Sequence, residues 1–210
     1  DTSSFASIPR SPFSYWVSER LRSCFEVLPA LQADGRIAAI GASTKDDGRF
    51  LRNCWEVPQD TLGNVPIAKG GAFSAYYADV HLSIRWQEDG VEAKTFVSDY
   101  RAAHGWSPHW KAELHNPHLY FRSGITWPRR TNGLSFRAMP AGCIFADKGP
   151  AIFVENDNAD NLLALAAVTN SRAFGLLVSL QLARTELAQS FEVGLIQTTP
   201  VPNLADSDRE

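Results

Sequence analysis

No run of eighteen apolar residues occurs anywhere in the 210-residue chain, so no segment reads as a membrane-spanning helix and no membrane partner is expected. Cysteine is scarce. Cys24, Cys54 and Cys143 form an odd, scattered set without a CxxC pair, which argues against a disulfide framework and fits free thiols in a reducing cytoplasm. The opening residues Asp1-Thr2-Ser3-Ser4 include neither an initiator Met nor the basic-then-apolar layout of a secretion signal, and the chain reads as a piece of a longer one. There is no Walker loop, no G-x-S-x-G and no HExxH, so the short motifs of nucleotide, serine-hydrolase and zinc-peptidase chemistry are missing. A basic excess is missing too: 20 Lys and Arg stand against 23 Asp and Glu, a formal net charge of −3. The sum conceals a polarity. Between Arg101 and Lys148 seven basic residues face only Glu113 and Asp147, whereas after Glu155 carboxylates outnumber Arg172, Arg184 and Arg209. Steering of a charged partner depends on such a local field, although a solvated charged face has the same composition.

What is present is core material: 44% hydrophobic residues, including 12 Phe and 6 Trp, enough for one domain of this length. Ser14 can cap a first helix carrying Trp16, Leu21, Cys24 and Phe25, which ends before Pro29. A β-rich stretch follows, with strands expected at 36–40, 49–57 and 80–87. The last alternates apolar and polar along Val80 to Gln87, and Glu88-Asp89-Gly90 then turns it into a second alternating run, Val91 to Val97, as a hairpin. Residues 99–118 read as irregular. Strand signals resume at 119–127, 134–139, 143–145 and 151–154. The period then switches. Asp157 or Asn158 can cap a helix presenting Leu162, Leu165 and Ala166, Asn170-Ser171 breaks it, and a second helix carries Phe174, Leu177, Val178 and Leu182, with a last strand at 191–196. The expected class is α+β, a twisted mixed β-sheet with hairpins, packed by an N-terminal helix and two C-terminal helices. The expected organisation is a lead-in segment and helix at 1–30, one domain at 31–200 and an acidic tail at 201–210.

Four sets of residues invite chemistry. Asn116-Pro117-His118-Leu119 begins like the Asn-Pro-Pro-aromatic clamp that holds a flipped adenine, but it lacks the second Pro and the ring, and reads as a loop. Glu92 and Lys94 share a strand face in the hairpin reading, with Asp79 upstream, which suggests a magnesium nuclease or simply the wet side of that hairpin. His104, His109, His115 and His118 have no Cys partner and only one pair at zinc spacing, so they read as loop histidines and no metal is expected. The fourth set is the tip after Trp127: Pro128-Arg129-Arg130-Thr131-Asn132-Gly133. Arginine can take guanine O6 and N7, asparagine adenine N6 and N7, and threonine a phosphate or a thymine methyl, so the tip is either a base-reading head or a solubilising surface hairpin.

The ordered segments Ile8-Pro9-Arg10-Ser11-Pro12-Phe13-Ser14-Tyr15-Trp16, Gly41 to Arg52, Trp55-Glu56-Val57, Ala68-Lys69-Gly70-Gly71, Tyr76-Tyr77, Val80 to Trp86, Tyr120 to Trp127, Asn170-Ser171 and Phe191-Glu192-Val193-Gly194 carry a resemblance. In this order and spacing the chain resembles the region following the catalytic domain in the PglX-like adenine methyltransferases of BREX phage-exclusion systems. It is similar also to that of type IIG restriction-modification enzymes, and both are related to TaqI-like specificity domains. The resemblance covers nearly the whole chain. It implies a DNA target-recognition domain without catalytic residues of its own, working beside an upstream methyltransferase domain of the same chain that uses S-adenosylmethionine. The implied partners are double-stranded DNA, that upstream domain and other subunits of a defence system, and the parent is an adenine-specific DNA methyltransferase with or without restriction endonuclease activity. At the matched positions it implies Lys45, Arg49, Arg52 and Lys69 as backbone or groove-edge contacts. It also implies Arg122, Thr126 and Trp127 as the strand leading to the reader. Arg129, Arg130, Thr131 and Asn132 come from side-chain chemistry alone. Arg49 and Arg52 read equally as partners of Asp46, Asp47 or Glu56. Where the family reads Thr-Gly-Asp-Asn, this chain has Thr44-Lys45-Asp46-Asp47, and its turn is expected to differ. A magnesium-dependent nuclease module and a protein-docking module stand as the alternatives.

Overall fold

A computed structural model describes residues 8–9, 17–58, 62–182 and 190–203. The elements run α1 (Glu19–Val27), β1 (Ile37–Ala39), α2 (Asp47–Phe50), β2 (Leu51–Asn53), β3 (Asn64–Ala68), β4 (Leu82–Arg85), α3 (Gln87–Ala103), β5 (Gly124–Thr126), β6 (Arg137–Met139), β7 (Ile144–Phe145), β8 (Ala151–Phe153), α4 (Ala159–Thr169), α5 (Arg172–Gln181) and α6 (Val193–Thr198). The class is α+β as expected, but the strands divide into two four-stranded sheets. One is antiparallel in the order β1-β8-β5-β6; the other, β2-β4-β3-β7, is mixed through its parallel β3–β7 pair.

Each sheet has its own core. Ile67, Ile84, Phe50, Trp86, Val97 and Phe145 pack the mixed sheet against α3. Ile125, Ile152, Trp127 and Phe136 pack the antiparallel sheet against Phe174 and Val178 of α5 and Leu195 and Ile196 of α6. Burial of each such side chain is worth about 1.5–3 kcal/mol, an upper estimate for an already compact unfolded chain. Local signals set the helix ends. The Asn158 side chain accepts from the Asn161 N–H and Ser171 from the Phe174 N–H, so Asn170-Ser171 ends one helix and begins the next. Ser18 caps α1; the expected cap Ser14 lies outside the described residues.

Two expected strands are helices. Val91 to Val97 belongs to α3. In a strand Val91, Ala93, Thr95 and Val97 would share the buried face, but Val91 and Thr95 are exposed while Ala93 and Val97, one helical turn apart, are buried. Alternation over seven residues is compatible with either period, and the packing of Phe96 on Phe50 decides for the helix. The predicted turn is nonetheless there. Glu88, Asp89 and Gly90 all have positive φ, and a Cβ at Gly90 would come within 2.8 Å of the Trp86 indole. Residues 191–196 likewise end in α6, whose Leu195 and Ile196 are buried. The 49–57 strand shrinks to β2 between a short helical turn and a 3-10 turn. Among the described residues no single helix is long and apolar enough to cross a membrane; α4 and α5 together would be, but they bend by 66°.

Candidate nucleic-acid interface

The expected tip exists, but not as a free hairpin. β5 and β6 pair with Thr126 opposite Arg137, and residues 127–136 connect them. Two neighbours flank this connection. On one side the Phe191 N–H donates to the Arg129 carbonyl and Arg130 bridges Ser190. On the other, residues 70–76 run alongside. The Ser74 N–H donates to Ser135 Oγ (3.2 Å), the Tyr76 N–H to the Phe136 carbonyl (2.7 Å), and the Ala138 N–H to the Tyr76 carbonyl (2.9 Å). The root of this flanking segment is held by Arg137, a buried guanidinium that donates to the carbonyls of Gly70 and Ala72. Burial lowers its pKa, and both partners are neutral carbonyls.

Side chains on the strand point inward. Trp127 is fully buried, tilted against Phe136, and donates its indole N–H to the Phe191 carbonyl (2.8 Å). Thr126 is buried and donates to the Pro150 carbonyl (2.9 Å). These two therefore hold the tip's base with their polar atoms bonded inside the fold. Beyond them, Arg130 and Asn132 are exposed and Thr131 is half-buried. Arg129 is intermediate: its Nε lies 3.3 Å from Glu192 Oε1 as an ion pair without hydrogen-bond geometry.

The cations implied by resemblance fall into three places. The first place holds Lys45 and Lys69, linked through Asp47. Lys69 pairs with Asp47, Lys45 reaches Glu113 (2.6 Å), and the Lys69-Gly70 backbone abuts the 147–149 turn. That turn also receives the Arg129 N–H at the Lys148 carbonyl (3.0 Å). A Cβ at Gly70, where φ is +86°, would meet this same carbonyl at 2.4 Å, so the close approach requires glycine. Lys69, Arg129 and the exposed Lys148 thus meet at one turn, with Arg130 next in the chain. Lys148 was legible only as part of the basic run. Arg49 and Arg52 sit elsewhere. Arg49 pairs with Glu92 (2.9 Å) and lies over Phe96 (4.8 Å), and Arg52 donates to the Gly48 and Leu51 carbonyls (2.6 Å each). Arg49 therefore finds its acid on α3 rather than at Asp46, Asp47 or Glu56. Arg122 is remote from both, bound to Asp157 and the Val154 carbonyl.

The patch is nearly self-neutralising. Burial raises the Asp47 carboxyl pKa, but hydrogen bonds from Lys69 and Thr44 outweigh it and leave the group below its ordinary value. Glu113 follows the same pattern, burial being overcome by hydrogen bonds from Lys45 and Arg101. A polyanion landing here must compete with these carboxylates. Arg130 and Lys148 have no ion pair among the described residues.

The altered turn keeps a glycine-like backbone. Lys45 has φ +61°, the left-handed region, at the position where the resembled family has Gly.

The other chemical readings fare differently. Glu92 is engaged by Arg49 and Arg85, Lys94 by Asp89, and Asp79 by the Tyr77 hydroxyl (2.5 Å), so the three do not converge. Among the described residues no three His, Cys, Asp or Glu side chains are grouped to hold a metal. Asn116-Pro117-His118-Leu119 forms a 3-10 turn, and its Asn116 amide donates to the Ile40 carbonyl.

No family model matches the chain. Two curated proteins are similar to it. Over 186 residues it is 33% identical to the adenine-specific methyltransferase BrxX of Escherichia coli O9:H4 (strain HS), covering 84% of this chain and 14% of that protein. Over 211 residues it is 24% identical to the adenine-specific methyltransferase PglX of Lacticaseibacillus casei (strain Zhang), covering 94% of this chain and 17% of that protein. The chain thus spans about one sixth or less of the length of these relatives. It is a homologue of one segment of the BrxX and PglX adenine-specific methyltransferases.

Proposed function

We propose that this chain is the DNA target-recognition segment of an adenine-N6 DNA methyltransferase of the phage-exclusion or restriction kind. In this reading a methyltransferase domain of the same polypeptide binds S-adenosylmethionine and transfers the methyl group, and the present segment selects the sequence in which the adenine lies. The observation that carries the reading is the meeting of Lys69, Arg129 and Lys148 at one turn, beside a tip that exposes Arg130 and Asn132. Lysines would meet phosphate and fix register; Arg130, Arg129, Asn132 and Thr131 would meet base edges. Similarity to adenine-specific methyltransferases along most of the chain supports the same reading. Thr126 and Trp127 act as supports, and Arg49, Arg52 and Arg122 fall outside the proposed face.

The test is binding of a fluorescent random-sequence duplex across salt concentrations. Neutralising three to five phosphates gives a slope of log affinity against log salt of about −3 to −4.5, and each cation removed lowers it by about 1. A flat salt response sinks the reading.

A further inference from the structure

We propose that residues 70–77 form a preorganised aromatic wedge that stacks Phe73 and Tyr77 on the bases of the bound duplex, at a step opened beside the tip. The inference deepens the DNA-recognition reading and rests on it.

Three large aromatics lie within five residues of one another in this segment: Phe73, Tyr76 and Tyr77 are 57%, 57% and 68% exposed. They follow the tip closely. The Phe73 ring lies 3.3 Å from where a Cβ would stand on Gly133, so it covers the end of the loop that carries Arg130 and Asn132. Lys69 precedes the segment, and Gly70 abuts the Lys148 backbone, so the root of the aromatic segment adjoins the cationic turn. A charged track with interleaved rings is the chemistry of an unstacked base, because every base has a π-face. Asp79 adds one carboxylate nearby, and it is occupied by the Tyr77 hydroxyl at 2.5 Å.

The segment is also held rather than loose. The buried Arg137 clamps its root at Gly70 and Ala72. Tyr76 sits at φ +67°, a conformation that a bulky residue adopts only when its surroundings impose it, and both its backbone groups are tied to the β6 region. Ser74 Oγ donates to the Tyr77 carbonyl (2.5 Å). A folded chain that fixes a strained loop and a buried charge in order to present apolar rings to water has the arrangement of an inserted wedge, which unstacks a base step to gain contact.

The experiment compares two duplexes, one fully paired and one with a central mismatch flanked by 2-aminopurine, bound by the full chain and by a Phe73→Ala/Tyr77→Ala variant. The wild type is expected to prefer the mismatched duplex by about ten-fold, because the unstacking cost is already met there, and to raise the 2-aminopurine fluorescence. The variant loses both effects while keeping salt-dependent binding of the paired duplex within a few-fold. Since both side chains are exposed, circular dichroism should match the wild type. Retention of the preference and the fluorescence by the variant overturns the wedge, as does a wild type that binds both duplexes equally; either leaves the recognition reading standing. Failure of the wild type to bind any duplex overturns both.

Discussion

Trp127 and Phe191 are joined by an indole N–H to carbonyl hydrogen bond of 2.8 Å that spans 64 residues and is buried at both ends. It ties the base of the tip to the start of the C-terminal turn leading into α6. Trp127→Phe should preserve most of the packing and leave the Phe191 carbonyl without its partner, costing about 1–3 kcal/mol. Trp127→Ala should cost about 3–5 kcal/mol through the cavity as well. Urea titrations of both variants measure this. A Trp127→Phe variant as stable as the wild type would show that the bond does not hold the tip.

Lys45 gives an ordering rather than a size. Its left-handed backbone costs a lysine about 1 kcal/mol that glycine does not incur, while its pair with the buried Glu113, which keeps Arg101 as a second partner, contributes about 1 kcal/mol. Lys45→Gly therefore sheds both and should stay within about 1 kcal/mol of the wild type. Lys45→Ala loses the pair and keeps the strain, so it should melt below Lys45→Gly. The reverse order in thermal unfolding would contradict a left-handed residue at this turn.

Glu113 makes the fold acid-sensitive in a defined direction. Its carboxyl lies below the ordinary 4.5 because Lys45 and Arg101 hydrogen bonds outweigh burial. A depressed carboxylate pKa adds stability that is fully present above the unfolded value and disappears as pH falls through the folded one. The wild type should thus lose stability below about pH 4.5, and Glu113→Gln should show a shallower loss over that range. At neutral pH that variant should be destabilised by about 2 kcal/mol, since two charged donors lose an ionised acceptor. Parallel stability curves for the two proteins would rule out this role.

Arg130 and Lys69 should separate specificity from affinity. Arg130, exposed and free of ion pairs among the described residues, should cost about 1–3 kcal/mol when changed to Ala and relax discrimination at one base position. Lys69→Ala should weaken all sequences alike. Asp47→Asn should do the opposite of Lys69→Ala, strengthening binding, because it removes the carboxylate with which phosphate competes for Lys69. Competition binding with a selected site and its single-base variants reads all three.

Much of this organisation is legible in the residues. The helix break at Asn170-Ser171, the Asn158 cap, the left-handed turn at 88–90 and the β5–β6 ribbon follow from capping and turn chemistry, which act within a few residues. The helix at 91–103 is misread because Val91-Glu92-Ala93-Lys94-Thr95 satisfies a period of two as well as one of 3.6, and only the long-range contact with Phe50 separates them. The candidate face is partly legible: the tip and Lys69 are local motifs. That Lys148 stands among them, and that Arg49, Arg52 and Arg122 do not, depends on the sheet pairings that bring the 147–149 turn against Gly70. Nor does the pattern reveal that Thr126 and Trp127 turn inward, since a tryptophan beside two arginines looks the same whether it faces solvent or the core.

The most direct test of the central claim is selection of bound sequences from a random duplex pool by this chain, repeated across salt concentrations. The account predicts enrichment of one short motif, with affinity falling steeply as salt rises and Arg130→Ala blurring a single position of that motif. Recovery of all sequences in equal proportion, or no retention even at low salt, would contradict it.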